Sequence, residues 1–240
     1  MPEASSKNGL AAFLQSAAFA PAPVIRTDKK SIVLDLSSGS RLRGKAVAGL
    51  AVDELGRLIN AEMQQSGTGF AFGRYGEPRE LYANENFSDV VAGEARTIHL
   101  GIDLFCVAGT PVFAPLDGTI EIVANNDREL DYGPMLILRH ETAQPGAFFT
   151  LYGHLSLDTL TRRSAGQRVS AGEQIASVGG PPHNGNWPPH LHMQVMSDLL
   201  GLGADFPGVA ARSRQGYWFS VSPSPAVFFP ECAARLLEYR

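Results

Sequence analysis

Three short segments concentrate the side chains that could do chemistry. The first is His99-Leu100-Gly101-Ile102-Asp103, in which an imidazole and a carboxylate stand four residues apart with a glycine between them that lets the backbone bend. Imidazole nitrogen and carboxylate oxygen are both ordinary zinc ligands, but two donors do not complete a site, and a structural role for the pair stays open. The second is His190-Leu191-His192, inside a run with the composition of a strand. Side chains alternate faces along a strand, so His190 and His192 share one face while Leu191 and Met193 enter the core. Two imidazoles held on one face need polar partners if they are buried. The third is Tyr152-Gly153-His154-Leu155, where a histidine follows an apolar strand into a loop. Alone, His154 would read as a structural hydrogen-bonding group, and only the company it keeps gives it weight.

All six histidines fall between positions 99 and 192. His140, at a strand end beside Glu141, and His183, in the glycine- and proline-rich loop 179–189, are read as structural. The two cysteines, Cys106 and Cys232, are neither a disulfide scaffold nor a metal-binding pair and are expected as core thiols.

The elements that must position these residues are mostly strands. The 25 glycines and 16 prolines are spread along the chain and divide it into short apolar runs. Residues 110–114, 119–124, 135–139, 148–152, 174–178 and 191–196 each have strand length and composition, with turn signals such as Asp117-Gly118 and Ala171-Gly172 between them. The expected fold is mainly β, an antiparallel sheet arranged as a sandwich or open barrel, with a small α+β appendage at the N-terminus. In that appendage residues 31–36 suit a strand. Leu50, Val52, Leu55, Leu58, Ile59 and Met63 recur at helical spacing, and Gly67 is placed to stop the helix. The domain reading is 1–68 for the appendage, 69–230 for the histidine-bearing domain and 231–240 for a tail; the stretch from Gly201 reads as extended chain packed back on the domain.

A chain of 240 residues with 44% hydrophobic content can fill one substantial core. A formal charge of −4 argues against nucleic acid as a partner, and no run of about 20 apolar residues suggests a membrane span. Residues 9–20 have the apolar look of an export signal, but Glu3 in the leader and Gln15 and Ser16 within the run favour a short amphipathic helix. A cytoplasmic location is therefore the expectation.

In this order, His-x-Gly-x-Asp, Tyr-Gly-His-Leu and Pro-His-Leu-His resemble the motifs of the M23 family of lysostaphin-type zinc peptidases. Residues 109–118, 169–175 and the proline-containing stretch 222–228 look like family counterparts as well, so the resemblance runs from about Phe70 to Phe229. It implies a lysostaphin-type fold, one zinc ion held by His99, Asp103 and His192, and catalytic roles for His154 and His190. Three protein ligands leave a fourth position for water, as catalytic zinc requires. The implied activity is hydrolysis of peptide bonds in peptidoglycan cross-links or stem peptides, although the family is usually exported. Two departures bear on substrate rather than on ligands. The loop 179–189 replaces a Gly/Ser/Thr-rich stretch and carries Trp187, expected to wedge the loop. Met193-Gln194 replaces the more usual Phe-Glu on the supporting strand. Two rivals remain at this point: a metal-bound but inactive binding module of the same fold, and a phosphocarrier domain, whose active-site segment the His99–Asp103 motif also resembles.

Overall fold

The computed structural model describes residues 4–16, 18–27, 30–79, 88–89, 93–142, 146–230 and 232–236. Its centre is an eight-stranded sheet. Taken edge to edge, the strands are Ile32–Val33, Ala71–Gly73, Ile102–Phe105, His190–Met196, Ala147–Gly153, Gly133–Glu141, Gly118–Asn126 and Arg168–Val169. All neighbours are antiparallel except Ile32–Val33 with Ala71–Gly73. The sheet is thus mixed, and among the described residues it does not close into a barrel.

Period-2 alternation assigns the two faces. Leu136, Leu138, Tyr152, Leu191, Met193 and Val195 pack into one core; Met135, Ile137, Leu151 and Met196 pack into a second on the opposite face. The central strands are buried on both faces, so they read as nearly continuous apolar runs. His190, His192 and Gln194 occupy the face opposite Leu191 and Met193, and their strand His190–Met196 is buried along its whole length.

The N-terminal segment is continuous with this sheet through Ile32–Val33. The helix Val52–Gln65 buries Leu55, Ile59 and Met63 against Leu34, Leu36, Ala71 and Phe105, and Gly67 follows it at φ +63°, a conformation that ends a helix at little steric cost. The first helix, Ala4–Leu14, inserts Leu10 and Leu14 into the core beside Phe148. The C-terminal stretch differs from the expected extended chain. It forms the strand Val209–Ala211 and the helix Gln215–Val221, whose buried Trp218 and Val221 join the second core. Its short helix has only two deeply buried positions, too few to announce a helical period. Of the tail 231–240, positions 231 and 237–240 lie outside the described residues.

Candidate metal centre

Strand register brings the candidate residues together. Asp103 stands directly opposite His192, Gly153 flanks His192 on its other side, and His190 stands opposite Phe105. His99 ends the strand Glu94–His99, which pairs with Val209–Ala211 in a separate three-stranded sheet. The three donors meet at one point. His99 Nε2 is 3.1 Å from His192 Nδ1 and 3.2 Å from Asp103 Oδ1, and His192 Nδ1 is 3.1 Å from the same oxygen. A tetrahedral zinc about 2.0 Å from each ligand needs ligand atoms about 3.3 Å apart. The triangle therefore fits the ion closely, and among the described residues these three form the cluster able to hold a metal.

Outer hydrogen bonds set the tautomers. His99 Nδ1–H donates to the Arg74 carbonyl at 2.9 Å, which leaves the Nε2 lone pair for the centre. His192 Nε2–H donates to Gln194 Oε1 at 3.1 Å, which leaves Nδ1. Gln194 is held in that orientation because its own amide nitrogen donates to the Pro207 carbonyl and to Ser222 Oγ. Gln194, expected only as a neutral change on the supporting strand, is thus the partner that orients His192. Being two residues from His192 on a strand, it must share that histidine's face.

Gly101 contributes by its lack of a side chain. A Cβ there would stand 2.5 Å from His192 Cε1, 2.6 Å from its Nε2 and 2.7 Å from the Met193 carbonyl oxygen. Its φ is not in the left-handed region, so the glycine makes room for the imidazole, and the expected bending role is replaced by a steric one.

His154 and His190 complete the group, with ring centroids 4.2 Å apart. His154 sits at φ +60°, a conformation that costs a non-glycine residue roughly 1 kcal/mol. The strained residue is fixed at three points: its N–H donates to the Tyr132 carbonyl, its carbonyl accepts from Gly179 N–H, and its Nδ1–H donates to the Asn184 carbonyl at 2.9 Å. His190 Nδ1–H donates to the Pro188 carbonyl at 2.7 Å, and its Nε2 lies 3.7 Å from Asp103 Oδ1. Trp187 wedges the loop as expected, packing with Val209, Val52 and Leu130 and meeting both imidazoles edge-on.

The five side chains are only 1–6% exposed. Burial pulls His99 down to about 4 and lowers His154 and His190, with neighbouring imidazoles adding to the effect at His154. Burial pushes the Asp103 carboxyl up, but His99, Arg79 and His190 overcome this and hold it well below its usual range. At neutral pH His99 is thus a neutral imidazole beside the Asp103 carboxylate, the protonation states in which these two groups can bind a metal. A cavity of about 390 Å³ opens on them, walled by Tyr132, Trp187, Phe206 and, from the N-terminal segment, Leu36 and Leu55.

The remaining histidines lie apart. His140 is buried between the Asp117 carbonyl and Thr150 Oγ1, and His183 is exposed on its loop. A phosphocarrier requires an imidazole that its partner proteins can reach; His99, 1% exposed against a carboxylate, does not meet that need.

Residues 97–201 match the model of peptidase family M23. An uncharacterized metalloprotease of Haemophilus influenzae is 36% identical over 143 residues, covering 58% of this chain and 27% of that protein. Over residues 97–201 the chain is similar to the M23 peptidase family. Among solved structures, a zinc-containing peptidase from Vibrio cholerae is 27% identical, with a TM-score of 0.32 over 47% of this chain and 31% of that one. The lysostaphin catalytic domain of Staphylococcus simulans is 25% identical, with a TM-score of 0.38 over 56% of this chain and 80% of that one. The chain spans about a quarter of the length of its Haemophilus relative and about a third of the Vibrio peptidase. All five candidate residues fall within the matched 97–201 segment, whereas Arg74, Glu77 and Arg79, which support it, precede the segment.

Proposed function

We propose that this chain is a zinc metalloendopeptidase acting on peptide bonds of peptidoglycan cross-links or stem peptides, with one zinc held by His99, Asp103 and His192. The observation that carries the reading is the triangle of three donor atoms with 3.1–3.2 Å edges beside two further imidazoles. A closed structural site would use a fourth protein ligand; three leave a position open. Zinc bound there supplies Lewis acidity and lowers the pKa of a water toward neutrality.

The chain's own groups do the rest. His154 and His190 each commit Nδ1–H to a backbone carbonyl, so Nε2 is the atom left to act, and burial keeps it unprotonated. A lone pair at Nε2 lets one imidazole accept the proton of the attacking water, and the resulting N–H can then donate to the leaving amine or to the developing oxyanion. No His-Glu-x-x-His segment exists in the sequence to provide a glutamate base, so the histidine pair takes that work. Fixed backbone acceptors hold both rings in place before substrate arrives, which favours the transition state over mere binding.

Purified protein is tested on intact cell walls, on glycine-rich peptides and on stem peptides, with His154→Ala as control. Cleavage of one substrate class by wild type and none by the variant is the expected outcome. Bound zinc without cleavage of any of them would favour the inactive binding module.

A further inference from the structure

We propose that Arg79 is a positioning residue of the metal centre: it grips the second oxygen of Asp103, confines that carboxylate to one-oxygen binding, and so keeps the fourth position open. This rests on the metal-centre reading above. Asp103 divides its two oxygens. Oδ1 faces His99 and His192, while Oδ2 accepts from Arg79 Nη1 at 2.5 Å. A carboxylate left free to rotate can bind a divalent ion through both oxygens and fill a position needed for water. With Oδ2 held by a charge-assisted hydrogen bond, that second contact is prevented.

Arg79 is itself anchored. Its Nε donates to Glu77 Oε2 at 2.8 Å, and the two side chains are 2% and 0% exposed. Glu77 Oε1 accepts from the Leu36 N–H at 3.0 Å, with Arg74 Nη1 3.6 Å away. The line from Leu36 through Glu77 and Arg79 thus connects the N-terminal segment to a metal ligand. Gly73, directly opposite Asp103, leaves the space the guanidinium occupies; a Cβ there would lie 2.5 Å from Arg79 Nη2. Stability alone is a poor reason to bury this pair, since well-packed apolar replacements of buried ion pairs are often neutral or stabilising. Holding a ligand in one geometry is a reason that an apolar pair cannot satisfy.

The test uses the full chain, two disrupting variants and one conservative replacement. In Arg79→Gln combined with Glu77→Gln, the Arg79–Glu77 ion pair is removed as a unit, while Asp103 loses its cation and keeps the contacts of Oδ1 with His99 and His192. In Gly73→Ala the charges stay, but the added methyl displaces the guanidinium. Zinc affinity is measured by competition with a chromogenic chelator, and the cobalt-substituted proteins are compared by visible absorption. Both variants are expected to bind zinc 10–100-fold more weakly, the range typical for loss of a ligand's outer partner. Their cobalt bands are expected to lose intensity as coordination rises above four, while the metal-free proteins keep a native far-UV circular dichroism spectrum at a lowered thermal midpoint. Arg79→Lys, which restores the charge without the fork, is expected to recover part of the affinity. Affinity and cobalt spectrum within twofold of wild type in the double variant or in Gly73→Ala would overturn the proposal while leaving the metal centre intact. Failure of wild type to bind either metal would overturn both.

Discussion

Replacing Gly101 with alanine adds one methyl group where the structure has no room for it. The new carbon would sit 2.5 Å from His192 Cε1 and 2.7 Å from the Met193 carbonyl oxygen, where an ordinary contact is at least 3.4 Å. The carbonyl belongs to the central strand and cannot yield, so the imidazole must retreat by about 1 Å. Overpacking of this kind costs about 1–3 kcal/mol of stability. The larger effect falls on the site, because His192 Nδ1 would leave a triangle whose edges are 3.1–3.2 Å, and a misplacement of about 1 Å typically costs on the order of 100-fold in rate. Chelator competition and a peptide-cleavage assay read the two effects. Gly69→Ala is the control, since a Cβ there meets nothing within 4 Å. Wild-type zinc affinity and rate in Gly101→Ala would refute the claim that this glycine exists to admit the imidazole.

Replacing His154 with alanine is expected to lower kcat by about 10²–10⁴-fold while zinc content stays at one ion per chain, because His154 is not among the three donors; loss of zinc would move it into the ligand set. Removing the metal with chelator is expected to abolish cleavage, reversibly on adding zinc, while far-UV circular dichroism stays near native, since the three large cores pack without the centre. Activity surviving complete removal would exclude a metal mechanism. Burial lowers the His140 pKa below 6.5, so His140 contributes stability that is full above about pH 6.5 and is lost as pH falls through the folded value, because the unfolded chain then binds the extra proton. Denaturant titrations between pH 7 and 5 should show a shallower decline for His140→Gln, and an unchanged slope would contradict this.

What the sequence makes legible follows from periodicity. His190 and His192 are read on one face because strands alternate, and the register that sets Asp103 opposite His192 follows once both runs are strands of one sheet. The helix Val52–Gln65 is legible for the same reason, its apolar residues recurring at a helical period. Arg79 and Glu77 are not legible, since arginine and glutamate ordinarily mark the surface and nothing in Glu77-Pro78-Arg79 announces two buried charges. Gln194 stands beside the motif, but its role appears only when Pro207 and Ser222, distant in sequence, fix its amide. The bending role assigned to Gly101 fails because spacing reports what is adjacent along the chain, whereas the constraint comes from a side chain 91 positions away. The edge strand Ile32–Val33 shows that the N-terminal segment continues the sheet, a long-range pairing that composition does not encode.

The most direct test of the three-ligand centre is a crystal of the purified chain measured on both sides of the zinc absorption edge. One anomalous peak is predicted about 2 Å from His99 Nε2, Asp103 Oδ1 and His192 Nδ1 together. A peak elsewhere, or none after the protein is supplied with zinc, would contradict it.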